Sequence, residues 1–180
     1  MAINLNGNDI LNDLLKLFPA SDYLQSCTFM DVRKMPAPYR ELLVHEKHMT
    51  VTLEAHHGRL VDVLVQEKKH EGDSYARKIL LRLQGSDRIV LFGLVRIHLH
   101  FCSPEVAAEI VSEKTPLGRV LIEHDVMRRI EPLGYLSIVP GPRMMDWFGL
   151  AEPQVMYGRT AIIHCDEEPA VELLEVVPPE

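Results

Sequence analysis

The chain has 180 residues, of which 47% are hydrophobic and 25% are charged, and its net charge at neutral pH is −7. A chain of this length and composition is expected to form one soluble globular domain over residues 1–180, with an N-terminal helix and arm over residues 1–36. The negative charge argues against a broad surface for nucleic acid or anionic membranes, although it leaves room for a local basic pocket.

The sequence also predicts a cytoplasmic protein. No apolar run reaches the roughly 18 residues that a membrane helix needs, and the N-terminal residues lack the basic start of a secretory signal. The three cysteines, Cys27, Cys102 and Cys165, include no close-spaced pair, so we expect reduced thiols and no disulfide framework.

Two helices are predicted at the start of the chain. Apolar side chains recur at helical spacing over residues 9–18, with Asn8 or Asp9 as the N-cap. The proline-rich residues 35–38 precede a second helical pattern over residues 39–48, because proline is tolerated near the start of a helix.

The pattern changes at residue 49, where apolar and polar side chains begin to alternate. Such alternation is typical of strands, and it predicts four of them, over residues 49–55, 60–66, 74–83 and 89–101. Ser103 and Pro104 then supply the cap and the first position of a helix that ends near residue 112.

The remainder of the chain completes a predicted antiparallel sheet. Residues 120–133 fit neither pattern clearly, whereas residues 134–139, 154–164 and 170–177 have the composition of strands. Strands joined by short turns are antiparallel neighbours. Because the helices do not alternate with the strands, the sequence predicts an α+β fold, an antiparallel sheet covered on one face by helices.

Nine histidines raise the question of a metal site. Three pairs have a spacing that a metal could use: His45 and His48, His56 and His57, and His98 and His100. No third ligand accompanies any pair at a telling spacing, so we expect no metal. Phosphate-binding glycine loops and a GxSxG motif are absent as well, and we therefore expect no cofactor.

Three arginines suggest a site for a small anion. Arg77 and Arg96 lie in predicted apolar strands, and Arg119 follows a glycine. An arginine in an apolar strand is costly to bury unless an anion meets it, and its planar fork suits a carboxylate. The alternative is that these arginines face solvent or pair with glutamates. Glu172 and Glu175 fall on opposite faces of the last strand, so one of them points to the covered side.

Five segments, taken together and in order, resemble the chorismate lyase family. They are residues 42–50, 77–81, 114–119, 157–159 and 175–178. The most specific is Thr-Pro-Leu-Gly-Arg at residues 115–119. The resemblance implies an antiparallel sheet with helices on one side and an enclosed ligand cavity. It also implies elimination of pyruvate from chorismate to give 4-hydroxybenzoate, without a metal or an organic cofactor.

The resemblance assigns roles to individual residues. Arg77 matches the arginine that pairs with the carboxylate of the aromatic product, and Glu175 matches the carboxylate that meets its hydroxyl end. These two are the candidate catalytic residues, since a buried glutamate could handle a proton during elimination. Met49 matches an apolar wall residue, and Leu117 and Gly118 match residues that lie against the ligand.

The sequence departs from the family pattern at two places. Leu94 occupies the position of a second family arginine, and Arg96, two residues further on the same strand face, is expected to reach the same anion. The spacing from Glu175 to the following proline is one residue shorter than in the best-known members, which would flip the glutamate to the other face unless a bulge absorbs the shift. Arg119 is expected to brace its turn.

Two other functions fit the same residues. The fold implied by the resemblance also serves as the effector-binding domain of certain bacterial transcription regulators, which suggests a non-catalytic sensor of aromatic acids. Fewer than 50 residues precede Met49 and they lack a basic recognition helix, so a regulator would need a partner. A relative that acts on a different aromatic or enol-ether acid is the third possibility. In each case the expected partner is a small molecule. The sequence does not indicate an oligomeric state.

Overall fold

The computed structural model describes residues 5–180, which fold around one seven-stranded antiparallel sheet. The strands lie in the order β1-β5-β6-β7-β4-β3-β2. Their bounds are β1 Leu24–Met30, β2 Val61–Glu71, β3 Ser74–Leu83, β4 Ile89–His98, β5 Arg128–Pro140, β6 Met156–Cys165 and β7 Glu168–Val177. The predicted α+β class and antiparallel sheet are confirmed, and residues 1–4 of the predicted arm lie outside the described part.

Six α-helices accompany the sheet in the described residues. They are α1 Gly7–Leu17, α2 Ala37–Leu43, α3 Met49–His57, α4 Pro104–Ser112, α5 Leu117–Glu123 and α6 Pro142–Phe148. The predicted helix near residues 103–112 is confirmed, with the Ser103 hydroxyl accepting the backbone N–H of Val106 at 3.3 Å. The cap of α1 is Asn6, not Asn8 or Asp9, and no described helix is long and apolar enough to cross a membrane.

Helices cover both faces of the sheet, so the expectation of a single covered face was wrong. Helices α2 to α5 pack on the face that carries Ile79, Leu91 and Leu173. Helices α1 and α6 pack on the other face, against Phe92 and Leu174. The physical reason is visible in β4, whose residues 90–95 are all buried, as expected for a strand enclosed on both sides.

The segment predicted as the first strand, residues 49–55, is helix α3. Its alternation of apolar and polar residues fits a strand locally, but Met49 and Leu53 lie four residues apart and are both buried on one helix face. Gly58 ends the helix with φ 61° in the left-handed region, which glycine adopts without strain. The predicted helix over residues 39–48 is accordingly shorter, and residues 44–48 form a loop that leads into α3.

Four further elements differ from the sequence prediction: β1, α5, the start of β5 and α6. Strand β1, which pairs with β5 at the edge of the sheet, and helix α6 were not predicted. The ambiguous residues 120–133 divide between α5 and the start of β5. Residues 116–119, expected to form a turn, are the N-cap and first turn of α5, and this places Leu117 and Gly118 at a helix start.

Candidate functional site

A cavity of about 50 Å³ lies between the sheet and the starts of α3 and α5. Its floor is made by aliphatic side chains of β2, β3, β4, β6 and β7, among them Ile79, Leu91 and Leu173. Of the predicted site residues the structure brings five together in its wall: Met49, Arg77, Leu117, Gly118 and Glu175. Residues more than 120 positions apart in the sequence thus line one cavity.

Arg96 is the predicted site residue that the structure places elsewhere. Arg77 is paired with Val95 in the β3–β4 register, so the odd-numbered residues of β4 share the cavity face and Arg96 points to the opposite face. There its guanidinium pairs with Glu172 and lies 3.6 Å from Asp13 of α1. Leu94 faces the same way and is fully buried, so the expectation that Arg96 reaches the ligand was wrong.

Arg77 is buried and lacks an anionic partner. Its side chain is 1% exposed, and its Nη1 donates a long hydrogen bond of 3.4 Å to the carbonyl of Ile110. Its Nε is buried without a partner, and among the described residues no carboxylate forms an ion pair with it. Burial lowers the pKa of Arg77, although a guanidinium keeps its proton even so.

The acid nearest to Arg77 is already engaged. The negative charge of Glu113 raises the pKa of Arg77 and so opposes the effect of burial. However, its carboxylate accepts the hydroxyl of Tyr75 at 2.6 Å and forms an ion pair with Lys68 at 2.9 Å. The guanidinium, which the Tyr75 hydroxyl also contacts, therefore keeps a buried Nε donor without a partner, a costly arrangement unless a ligand supplies an anion.

Glu175 enters the cavity from β7 and pairs with a buried arginine that the sequence analysis assigned no role. The Nε of Arg159, in β6, donates to Oε2 of Glu175 at 2.9 Å. Burial raises the pKa of Glu175, and the neighbouring charge of Arg159 opposes this only in part. Glu172 and Glu175 lie on opposite faces of the sheet, as their spacing predicts, and Glu175 is the one that faces the cavity.

Arg159 also holds the loop that leads into α3. It is 1% exposed, and it donates to the carbonyls of Leu43 at 3.2 Å, His45 at 2.8 Å and Lys47 at 3.1 Å. A signal for it existed in the sequence. Arg159 stands two residues before the apolar run Ala161-Ile162-Ile163, a context similar to the one that drew attention to Arg77.

His48 separates the cavity from a larger surface groove of about 620 Å³. Its imidazole is 7% exposed, and its Nε2 accepts the Nε of Arg128 at 2.8 Å. Burial, with the charges of Arg128 and Arg159, lowers the pKa of His48 to about 4. His48 is therefore neutral at physiological pH, with its proton on Nδ1. The positive charge on the groove side of this contact is carried by Arg128.

Gly118 is required by the close approach of α5 to α3. A Cβ at this position would lie 3.0 Å from Cβ of His48 and 3.2 Å from Oγ1 of Thr50. The neighbouring Arg119 was expected to brace a turn, but it instead joins two helices, since its guanidinium pairs with Glu54 of α3. The two helix starts that roof the cavity are thus held together by a tight contact and an ion pair.

Comparison with known proteins identifies no family for this chain. No protein-family model and no curated protein matches the chain. The structure is similar to that of a possible transcriptional regulator, YydK, from Bacillus subtilis subsp. subtilis str. 168, with a TM-score of 0.46 and 8% sequence identity. The similarity covers 66% of this chain and 57% of that protein, so the chain spans less than two thirds of its length.

Proposed function

We propose that this protein binds a small aromatic or enol-ether carboxylic acid in the cavity beneath α3 and α5. The observation that carries the proposal is Arg77, a guanidinium that is 1% exposed and has an unpartnered Nε. Burying a cation without a counter-charge costs several kcal/mol, of the order that an incoming carboxylate would recover. The planar fork of arginine also suits a carboxylate, which it can bind through two parallel hydrogen bonds.

The position of Glu175 supports a ligand with a polar group at each end. Glu175 is paired with Gly93, and Gly93 with Ile79, two residues from Arg77. The two residues are therefore separated by two strand spacings across the sheet and by two residues along the strand. Their Cα atoms lie about 12 Å apart. The aliphatic side chains that line the cavity between these two positions suit the apolar faces of a ring.

Binding of an aromatic acid requires the roof of the cavity to move. A cavity that takes up benzene in a well-characterised protein measures about 150 Å³, whereas this one measures about 50 Å³. The sheet is the rigid floor, so the space is gained where α3 and α5 begin. We therefore expect association to be slowed by this opening step.

The test is calorimetric titration of the metal-free protein with 4-hydroxybenzoate and with its neutral amide analogue. The acid should bind and the amide should bind at least about tenfold more weakly, because a neutral group cannot satisfy Arg77. Arg77→Met, which removes the charge and keeps most of the volume, should abolish binding. Arg33→Met removes an arginine that is 86% exposed and should have no effect. Unchanged affinity in a folded Arg77→Met variant would refute the proposal.

A second candidate function is turnover of chorismate to 4-hydroxybenzoate and pyruvate. The specific observation in its favour is Glu175, a carboxyl group that faces the same cavity as Arg77 and whose pKa burial raises. Such a group could exchange a proton with a substrate sheltered from water.

Turnover and sensing are separated by one assay. The purified protein is incubated with chorismate, and aromatic product and pyruvate are followed together. Equimolar products above the spontaneous background, lost in Glu175→Gln, would establish the lyase. Binding of 4-hydroxybenzoate without turnover would assign the cavity to effector binding, which a regulatory role would need.

A further inference from the structure

A second site is formed at the opposite end of α3 from the cavity. His56 and His57 are the last two residues of this helix, and the side chain of Glu180 folds back onto them. One potential ligand atom from each residue lies within 4.8 Å of the other two. Among the described residues, this is the one group of three histidine, cysteine or acidic side chains arranged so closely.

The distances within the group suit a tetrahedral metal. Nε2 of His56 lies 3.2 Å from Oε1 and 3.3 Å from Oε2 of Glu180. Zinc bonds of about 2.0–2.1 Å to nitrogen and oxygen place neighbouring tetrahedral ligands about 3.3 Å apart. The rings of His56 and His57 have centroids 4.7 Å apart at an interplanar angle of 88°, so they can present nitrogens to one point.

The surroundings also favour a cation. The carbonyl groups at the C-terminal end of α3 carry the partial negative charge of the helix dipole, and His56 and Glu180 are each about one third exposed, which leaves room for a water ligand. A second contact steadies the segment that carries Glu180, since its backbone N–H donates to the hydroxyl of Tyr39 at 3.1 Å.

We propose that His56, His57 and Glu180 form a binding site for a divalent transition-metal ion of the zinc type. Two imidazoles and one carboxylate are a ligand set that zinc accepts, with water at the fourth position. The sequence analysis noted the His56–His57 pair but expected no metal for want of a third ligand. That ligand lies 124 positions from His56, where no local spacing rule could find it.

The metal would connect two elements of the candidate cavity. Glu180 follows β7, which contributes Glu175 and Leu173 to the cavity, whereas His56 and His57 end α3, which contributes Met49 at its start. A bound ion would therefore clamp the end of β7 to α3. The inference does not depend on the proposed ligand, because it concerns the metal alone.

The experiment titrates zinc into protein freed of metal with a chelator, using calorimetry. The wild type should bind one equivalent. Loss of a group that only orients a metal ligand costs about 10- to 100-fold in affinity, so His57→Ala and Glu180→Gln should each cost at least that much. All of these side chains are at the surface, so the variants are expected to remain folded.

Two matched controls belong to the experiment. His124→Ala removes a surface histidine that contacts a single carboxylate, Glu109, at 2.6 Å. His100→Ala removes one member of the His98–His100 pair. Both should bind zinc as the wild type does. The proposal is overturned if the wild type binds no zinc, if Glu180→Gln keeps wild-type affinity, or if His100→Ala loses as much affinity as His57→Ala.

Discussion

Three buried or half-buried arginines, in β3, β4 and β6, illustrate how register decides the role of a residue. Arg96 pairs with Glu172 on the α1 face. Arg159, on the cavity face, pairs with Glu175 and donates to one carbonyl at the end of α2 and two carbonyls of the loop that follows. Only Arg77 faces the cavity without a carboxylate partner in the described chain. All three arginines stand in largely apolar strands, so their sequence contexts are similar. Their partners differ because a glutamate lies opposite Arg96 and Arg159 on the neighbouring strand and none lies opposite Arg77.

The pKa of His48 leads to a prediction about acid stability. Its pKa is about 4 in the folded protein, against about 6.5 in an unfolded chain. The unfolded state therefore binds more protons between these values, and the stabilisation present above pH 6.5 is lost as the pH falls towards 4. Between about pH 7.5 and pH 4.5 this residue alone should cost the wild type about 2–3 kcal/mol of unfolding free energy.

The comparison that isolates this contribution is urea unfolding of the wild type and of His48→Gln across that pH range. Glutamine can accept the hydrogen bond from Arg128 but does not titrate. The stability of the variant relative to the wild type should rise as the pH falls. A difference that stays constant with pH would show that His48 has the same pKa in the folded and unfolded states, and it would contradict the prediction.

The sequence predicted the elements whose pattern agrees with their tertiary surroundings. Strand β3 was predicted over its observed length, because its apolar run is flanked by clear turns. Helix α3 was predicted as a strand because Thr50 and Thr52 alternate with apolar residues, and only packing of Met49 and Leu53 against the sheet favours the helix. The cavity could be anticipated only from the resemblance, since its wall combines five strands and two helix starts.

At the level of elements, the contact between α3 and α5 predicts the effect of Gly118→Ala. The added methyl group would meet His48 and Thr50 at 3.0–3.2 Å, so the two helix starts must separate by a few tenths of an ångström. Overpacking of this kind costs about 1–3 kcal/mol, which urea unfolding would measure.

Gly118→Ala should also alter the binding of a ligand in the cavity, because the contact of residue 118 with His48 and Thr50 forms the roof of the cavity. Calorimetry with 4-hydroxybenzoate should show changed affinity for Gly118→Ala. Affinity equal to that of the wild type, despite the loss of stability, would mean that the roof does not touch the ligand.

At the scale of the molecule, the sheet separates two cores with different tasks. The face covered by α1 and α6 is packed by fully buried side chains such as Phe92 and Leu174. The face covered by α2 to α5 contains the cavity and both of its charged groups, Arg77 and Glu175. Strand β7 lies in the middle of the sheet, so its alternate residues belong to one core and then to the other.

Two adjacent leucines of β7 test this division directly. Leu173 lines the cavity at 3% exposure, and Leu174 is fully buried on the opposite face. Truncation of either leucine to alanine should lower the unfolding free energy by about 2–5 kcal/mol. Only Leu173→Ala enlarges the cavity, so it should change the affinity for 4-hydroxybenzoate and admit acids with a bulkier ring. Leu174→Ala should match the wild type in calorimetry while losing comparable stability in urea. If both variants altered binding equally, the cavity would respond to general loosening of the fold, and the assignment of the site to one face would be wrong.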